Sequence, residues 1–337
     1  MTILKKQAFY IALILTLTCS ILGILVAKLP YLSLVGALVL ALIFGMLSQV
    51  FPKAIDKASL GIGFISNKFL RLGIILLGFK LNLIDLSQAG VKTILLACIV
   101  VTLMISATYY VCRKFSVEPE LAILTASGCG ICGAAAIMGV SPQITPQSTK
   151  ERKRENEVLA VAVICVLGTV FTLVEVLLKS FLPLSQSQFG IMAGGSLHEI
   201  AHAVAAGGAG GQQSLKFALI MKLSRVLLLA PTALIIGLWY QKHVVKTKTN
   251  KHKLPFPWFM GGFLLTSVLG TFISALQPIV PTLVQGAYIF LGMAMAALGM
   301  SVNFKIILKR GKNVFLAALI TSSGLLILMF GVSYCFF

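Results

Sequence analysis

The chain has 337 residues, of which 58% are hydrophobic and only 11% charged, with a mean hydropathy of +0.99. Water could not solvate a surface drawn from that composition, so a soluble globular domain is excluded and a polytopic membrane protein is expected. The formal net charge of +19 would suggest nucleic acid in a soluble protein, but most Lys and Arg here fall in short loops between apolar runs. There they report topology, and no nucleic-acid partner is expected.

Apolar runs lie near residues 8–27, 31–50, 61–79, 91–112, 118–140, 157–182, 188–209, 214–240, 256–276, 283–303 and 313–336. A helix needs roughly 20 apolar residues to cross about 30 Å of hydrocarbon. The runs therefore predict an all-α, multi-pass protein of about 9–11 transmembrane helices, in one membrane domain over residues 1–337. The first run follows Lys5 and Lys6 but is too long for a signal-peptide core and lacks a clear cleavage site, so it is read as the first span. Cys19, Cys98, Cys112, Cys129, Cys132, Cys165 and Cys335 lie mostly within or beside apolar runs, without disulfide spacing, and are expected to be free thiols.

Positive charge tests which runs cross. Lys5 and Lys6, Lys53 and Lys57, and Arg113 and Lys114 fall on one side if the first four runs cross, and by the positive-inside rule that side, with the N-terminus, is cytoplasmic. The cluster Lys150, Arg152, Lys153 and Arg154 would then fall outside if the fifth run crossed, whereas the groups at Lys242–Lys253 and Lys305–Lys312 agree with each other as inside. The conflict disappears if the fifth and seventh runs enter the bilayer and return, the fifth from the cytoplasm and the seventh from outside. The rival reading keeps both as broken crossings, with one loop disobeying the rule.

Those two runs are the glycine-rich ones, 122–144 and 190–211. Glycine costs a helix interior about 1 kcal/mol against alanine, and non-helical backbone at membrane depth survives only when buried in protein or lining an aqueous cavity. In the first, Ser127, Gly128, Gly130, Cys132 and Gly133 are candidate substrate ligands, because an interrupted helix offers unpaired N–H groups that bind anions. Tight packing through small residues is the alternative. Gly195 and Ser196 are the corresponding candidates in the second, which also carries His198, Glu199 and His202. Ionisable groups at membrane depth mark ion or proton pathways by default, so these three are candidates for proton coupling or charge balance. Arg225, inside the eighth run, could meet an oxyanion or pair with Glu199; Arg71 is a further candidate for charge balance.

The sequence His198-Glu199-Ile200-Ala201-His202 is also an H-E-x-x-H, the zinc-protease spacing. It needs a third ligand; the chain has no acidic residue beyond Glu199 and only His243 and His252 downstream, both in a basic loop, which leaves an upstream residue such as Glu175. A zinc protease is therefore the lesser reading, and no catalytic residue, metal or cofactor is expected. Gly78, Asn82 and Gly90 recur at the same spacing as Gly299, Asn303 and Gly311, in runs that would point in opposite directions. This faint inverted repeat, with interrupted segments, points to a secondary transporter and makes Asn82 and Asn303 candidate substrate ligands.

Five stretches resemble the YeiH-like sulfate exporter family of bacterial inner-membrane proteins: Arg71–Leu81 (RLGIILLGFKL), Ser127–Ile137 (SGCGICGAAAI), Gly194–Gly207 (GGSLHEIAHAVAAG), Lys222–Pro231 (KLSRVLLLAP) and Leu298–Phe304 (LGMSVNF). The resemblance covers most of the chain. It implies a secondary transporter with inverted repeats in the bacterial inner membrane, and a small anion such as sulfate or an organic sulfonate or carboxylate as substrate. The chain departs from the family pattern at Cys129-Gly130, and at Glu199 and His202, where H-D-x-x-Q is usual. The expected function is thus a secondary active transporter, not an enzyme, coupled to protons or another cation and able to form a homo-oligomer in the lipid bilayer. An intramembrane protease, an anion channel and a non-transporting scaffold are the alternatives.

Overall fold

The computed structural model describes residues 7–27, 29, 37–80, 83–84, 90–144, 149–245, 258–300 and 304–337, and among them the regular structure is helical. In chain order the helices are α1 (Gln7–Val26), α2 (Ala37–Leu47), α3 (Pro52–Leu77), α4 (Gly90–Lys114), α5 (Pro119–Gly130), α6 (Ala134–Val140) and α7 (Lys150–Leu178). They continue as α8 (Gln186–Ser196), α9 (Ile200–Ala209), α10 (Gln212–Leu227), α11 (Leu229–Tyr240), α12 (Trp258–Phe272), α13 (Val280–Gly299) and α14 (Phe304–Phe336). Among the described residues, seven stretches are long and apolar enough to cross a membrane: Gln7–Val26, Pro52–Lys80, Val91–Lys114, Glu151–Leu178, Gln212–Val244, Val280–Gly299 and Arg310–Phe336. Leu40–Val50 and Gly261–Phe272 are shorter apolar helices. Exposed Ile14, Leu95, Ile99, Ile235 and Ile327 give these helices outward apolar faces. The chain is an all-α polytopic membrane protein.

The chain forms two compact units, Met1–Ile84 with Trp258–Asn303, and Asp85–Pro257 with Phe304–Phe337. In the first, small residues let helices approach closely: a Cβ on Gly45 would collide with the backbone of Ala296, and one on Gly299 with that of Leu42. Ala58, Ile62 and Ile65 of α3 share a core with Met293 and Ala297 of α13 and with Met300 just past its end, while Gly73 lies against Ala287 and Leu291, so these two helices run antiparallel. That is the relation expected for the repeated glycines; Asn82 and Asn303 themselves lie outside the described residues. Arg71 sits in this unit, its guanidinium 5.7 Å from the ring centre of Phe259.

The second unit contains both glycine-rich segments, and each is a helical hairpin. Pro119 starts α5 at the position where its missing N–H costs nothing, and α5 ends at Gly130. The chain reverses at Gly133, whose φ of 71° is in the left-handed region, and returns as α6. Both ends of this hairpin meet the start of α7. Glu118, at the N-cap of α5, accepts a hydrogen bond of 2.5 Å from Arg152. At the other end Ser141 bonds to Glu157, and Lys153 donates to the carbonyls of Ser141 and Ile144 at 2.7 and 3.0 Å. Residues 152–157 cover only about 8 Å of helix at 1.5 Å per residue, so α5 enters and α6 leaves at one end of α7.

The second hairpin, α8 and α9, does the same at the opposite end. A capping box between Ser185 and Gln188 starts α8, and Gln188 donates to the carbonyl of Tyr334 near the C-terminus of α14. Lys179, just past the C-terminus of α7, donates to the carbonyl of Ala209, the last residue of α9. A Cβ on Gly211 would touch Gln186, so entry and exit are adjacent. The two interrupted runs are therefore re-entrant, from opposite ends of the unit, and the rival broken crossings are excluded. The start of α7 and the start of α14 lie at the first hairpin's end, where Arg310 bonds to Glu118 and Asn156. The end of α4 joins them there, since Asn313 donates to the carbonyl of Phe115. The basic clusters at 113–114, 150–154 and 305–312, in conflict under simple crossings, thus share one end.

Glu118 ties α5 to Arg152 of α7 and Arg310 of α14 at 2.5 and 3.1 Å. Burial pushes its carboxyl up, but the hydrogen bond from Arg152 and the charges of Arg310 and Arg152 outweigh that and hold it below the usual carboxylate range. A carboxyl lowered on folding contributes stability above its unfolded pKa of about 4.3, and loses it as pH falls through the folded value. Glu118→Gln is therefore expected to lower stability by about 0.5–1 kcal/mol at neutral pH. Thermal unfolding in detergent should show the gap from wild type closing below about pH 4; a pH-independent gap would contradict the assignment.

Candidate functional site

The two hairpin tips meet on one face of α10. Lys222 and Arg225 lie one helical turn apart there and both are fully buried. Arg225 makes five hydrogen bonds to four tip carbonyls. Its Nε donates to Gly130 at 3.1 Å, one terminal nitrogen to Gly195 and Leu197 at 2.6 and 3.2 Å, and the other to Cys129 and Gly130, both at 2.8 Å. Lys222 Nζ donates to Ile131 and Leu197 at 3.1 and 2.6 Å.

The acceptors are the terminal carbonyls of α5 and α8, the groups a helix leaves without intrahelical partners and the negative end of its dipole. Burying a cation costs several kcal/mol unless its donors are satisfied. Here the unpaired carbonyls of two half-helices and two buried cations satisfy each other. A guanidinium has five N–H donors and an ammonium three, so Arg225 is saturated and Lys222 has one N–H left over.

This polarity is the reverse of the expected one for Gly128 and Gly130, which sit in the last turn of α5 and bring carbonyls, not N–H groups, to the site. The N–H of Ile131 is used by Ser127 O and that of Gly133 by Gly128 O. The Ser127 hydroxyl donates to Ile123 O within its own helix at 2.7 Å, so it is not offered to a ligand. Cys132 is buried beside the tip. Gly195 supplies a carbonyl to Arg225, and the hydroxyl of Ser196 contacts Glu175 Oε1 at 2.5 Å and Met192 O at 2.6 Å.

Glu199, at the N-cap of α9, reaches across to the first hairpin: Oε1 lies 3.5 Å from the N–H of Ala134 and 3.6 Å from Cys165 Sγ. A Cβ on Gly133 would lie 2.6 Å from Glu199 Cγ, so glycine there serves both the left-handed turn and the approach of this carboxylate. His198 precedes α9, and its Nε2 is 2.9 Å from Ser322 Oγ of α14. His202 lies against Gly168 of α7, with neither ring nitrogen hydrogen-bonded. Both imidazoles lie beside α7, His202 at Gly168 and His198 with its ring 6.2 Å from that of Phe171, but His198 stands outside the helix that carries His202, because α9 begins only at Ile200. The zinc-protease geometry, two His on one helical face, is not formed.

The unit also brings in residues outside the sequence-based candidate set: Lys222, Glu175, Cys165, Gly168 and Ser322. For Lys222 the signal was present, since its three-residue spacing from Arg225 puts both on one helical face. For Glu175 a signal was present as well, an acidic residue inside the apolar run 157–182; for Ser322 no local pattern exists, because its partner His198 is 124 residues away. Arg71, Asn82 and Asn303 are not brought to this cluster: Arg71 belongs to the other unit, and the asparagines lie outside the described residues.

Two re-entrant hairpins joined at buried cations define a class, the polytopic membrane proteins with interrupted helices at membrane depth. Residues 11–318 match the family described as conserved hypothetical protein 698, and the chain belongs to it. It is 61% identical to a UPF0324 membrane protein of Lactobacillus johnsonii, over 100% of this chain and 99% of the relative. It is 48% identical to the UPF0324 membrane protein BL1094 of Bifidobacterium longum, over 96% and 94% of the two chains. With OB3406 of Oceanobacillus iheyensis, another UPF0324 membrane protein, identity is 40% over 98% and 96%. No solved structure matches.

Arg225→Lys replaces a five-donor fork by a point charge and strands buried carbonyls at about 1–3 kcal/mol each. It is expected to destabilise the protein by about 3 kcal/mol or more, read as a lower unfolding midpoint in detergent. Gly133→Ala should cost about 1–2 kcal/mol from the left-handed backbone alone, plus the collision with Glu199. A midpoint unchanged in both variants would show that the tips are not held as described.

Proposed function

We propose that the chain is a secondary active transporter of a small anion, with the junction of the two hairpin tips as its substrate site. The observation that carries this reading is the meeting of oppositely entering half-helices on Lys222 and Arg225. Interrupted helices at membrane depth are the usual construction of transporter sites, and buried charge there marks a substrate or ion path. The site's chemistry divides between the cations: Arg225, with every donor taken, supplies positive potential and holds the tips, while the spare N–H of Lys222 is the direct ligand for an oxyanion. Glu199 and His198 balance charge as the site loads and empties. The resemblance to sulfate exporters favours sulfate, or an organic sulfonate or carboxylate, and the opposed hairpins suit alternating access from the two sides.

By the positive-inside rule the basic end of the second unit faces the cytoplasm of a bacterial inner membrane, with the chain's N-terminus on the same side. A cysteine at Glu151 should then react with an impermeant maleimide only after permeabilisation and one at Pro183 in intact cells, in a background with Cys335 replaced by Ser. The reverse pattern would overturn this orientation.

Transport is tested by offering labelled sulfate to proteoliposomes loaded with unlabelled sulfate. Saturable uptake with counterflow is expected, and Lys222→Gln should lose about tenfold or more in apparent affinity, the weight of one charge-assisted hydrogen bond of about 1.5–3 kcal/mol. Flux that does not saturate would favour a channel, and no flux with sulfate, a sulfonate or a dicarboxylate would sink the anion reading.

A further inference from the structure

We propose that Glu175, His202 and Glu199 form a proton relay running from the end where the second hairpin enters to the hairpin tips. The proposal rests on the transporter reading of the same site and adds its coupling ion and the side from which that ion arrives. All three side chains are buried, at 0%, 0% and 5% exposure. Each also has an unused polar atom: Glu175 Oε2, Glu199 Oε2 and both ring nitrogens of His202 form no hydrogen bond. An unsatisfied buried polar group costs about 1–3 kcal/mol. Three buried residues left in that state along one helix ask for a function.

Their places along α7 set the order. Cys165, Gly168, Thr172 and Glu175 follow at intervals of three, four and three, one face of the helix. Glu199 lies at Cys165, 3.6 Å from its sulfur. The ring of His202 lies at Gly168, so close that a Cβ there would collide with Cε1 and Nδ1. Thr172, fully buried, donates to Gly168 O at 2.7 Å. Glu175, one turn from the end of α7, is held by Ser196 at 2.5 Å. At 1.5 Å per residue Glu175 stands about 15 Å along the axis from Cys165, so the two carboxylates cannot converge on one ion. A sodium- or calcium-like cation needs several oxygens at about 2.3–2.6 Å, and among the described residues no three metal-ligating side chains come together. Stations strung along a helix suit a proton instead, and an imidazole between two carboxyls is the group that passes one on.

The surrounding charges agree. From α10, Lys222 acts on Glu175, His202 and Glu199 alike, with Arg225 beside it; Cys165 of α7 and Cys132 of the first hairpin face Glu199, and His198 lies near His202. The N–H of Ala134 faces Glu199 from the first hairpin, and Ser322 of α14 faces His198. The Arg225 guanidinium, with Lys222 beside it, repels a metal ion, yet lets a carboxyl release its proton. In the transfer, a proton taken up on Glu175 Oε2 is carried by bridging water, across the roughly 10 Å of helix between Glu175 and Gly168, to one nitrogen of His202, and the other nitrogen gives its proton through water to Glu199 Oε2. One proton moves inward, His202 returns to its neutral form, and nothing is oxidised or reduced.

The test is pH-difference infrared spectroscopy of the full-length protein in liposomes without sulfate, following the carboxylic C=O stretch. Among the titrating carboxylic bands of the nine acidic residues, two are expected to belong to the relay: Glu175→Gln should remove one and Glu199→Gln another, with fold retained by circular dichroism. His202→Gln should shift the midpoint of the surviving bands, a readout that a merely structural histidine would not move. Should Glu175→Gln fail to fold, Ser196→Ala removes the hydrogen bond to Glu175 and should shift its band in the folded protein. A difference spectrum unchanged by Glu175→Gln, or by Ser196→Ala if that variant is needed, or midpoints indifferent to His202→Gln, would overturn the relay. So would a spectral change when sodium replaces choline at constant pH, which assigns the site to a metal cation. Because no sulfate is present, failure of the flux assay and failure of the relay are separate results.

Discussion

The second unit depends on the mutual satisfaction of two buried cations and the carbonyl ends of two half-helices. An interrupted helix in hydrocarbon leaves carbonyls that neither water nor a further turn of helix can satisfy. A lysine and an arginine in the same place have the complementary problem. Lys222 and Arg225 resolve both at once, and the geometry follows from the donor count: five N–H groups on one planar guanidinium reach Cys129, Gly130, Gly195 and Leu197 from a single position. Arg225 is therefore first a structural element that joins hairpins entering from opposite ends, and a source of field at their junction second.

That constraint explains the glycine content. The tips must bring backbone, not side chains, to the cations, and the small residues of α8 let it lie close to α10: a Cβ on Gly190 or Gly194 would collide with the carbonyl of Ser214 or Ala218. At Gly133 the requirement is sharper, because the chain takes a left-handed turn just where Glu199 arrives from the other hairpin. The carboxylate sits beside the start of α6 while cations sit at the ends of α5 and α8. Each broken helix end in the junction is thus met by the charge its dipole favours.

Much of the architecture was legible in the sequence because the bilayer constrains the chain so heavily. Apolar runs must be helices, and the basic cluster at Lys150–Arg154 conflicted with the positive-inside rule under simple crossings, which pointed to the two segments that turn back. The site was legible only in part. Glycine-rich stretches announced close backbone approach but not its polarity, since the same residues can end one half-helix or begin the next. Gly128 and Gly130 end one, so they deliver carbonyls. The H-E-x-x-H likewise had the right spacing, yet the helix starts too late for its histidines to share a face.

The sequence by itself determined that the protein is all-helical and membrane-embedded and which segments are interrupted, and it left two readings, re-entrant or broken crossing, for those segments. Hydrophobicity, glycine content and charge placement are local quantities, and they suffice for that. The tertiary structure alone decided what meets what. Glu175 and Ser196, His198 and Ser322, and Glu199 and Ala134 are pairs made by chain segments far apart in sequence, set by how two hairpins dock against α7, α10 and α14. Which buried polar atoms are satisfied and which remain unused, and hence where ions can bind or move, emerges only from that docking, because hydrogen bonding at membrane depth is a property of the assembled backbone.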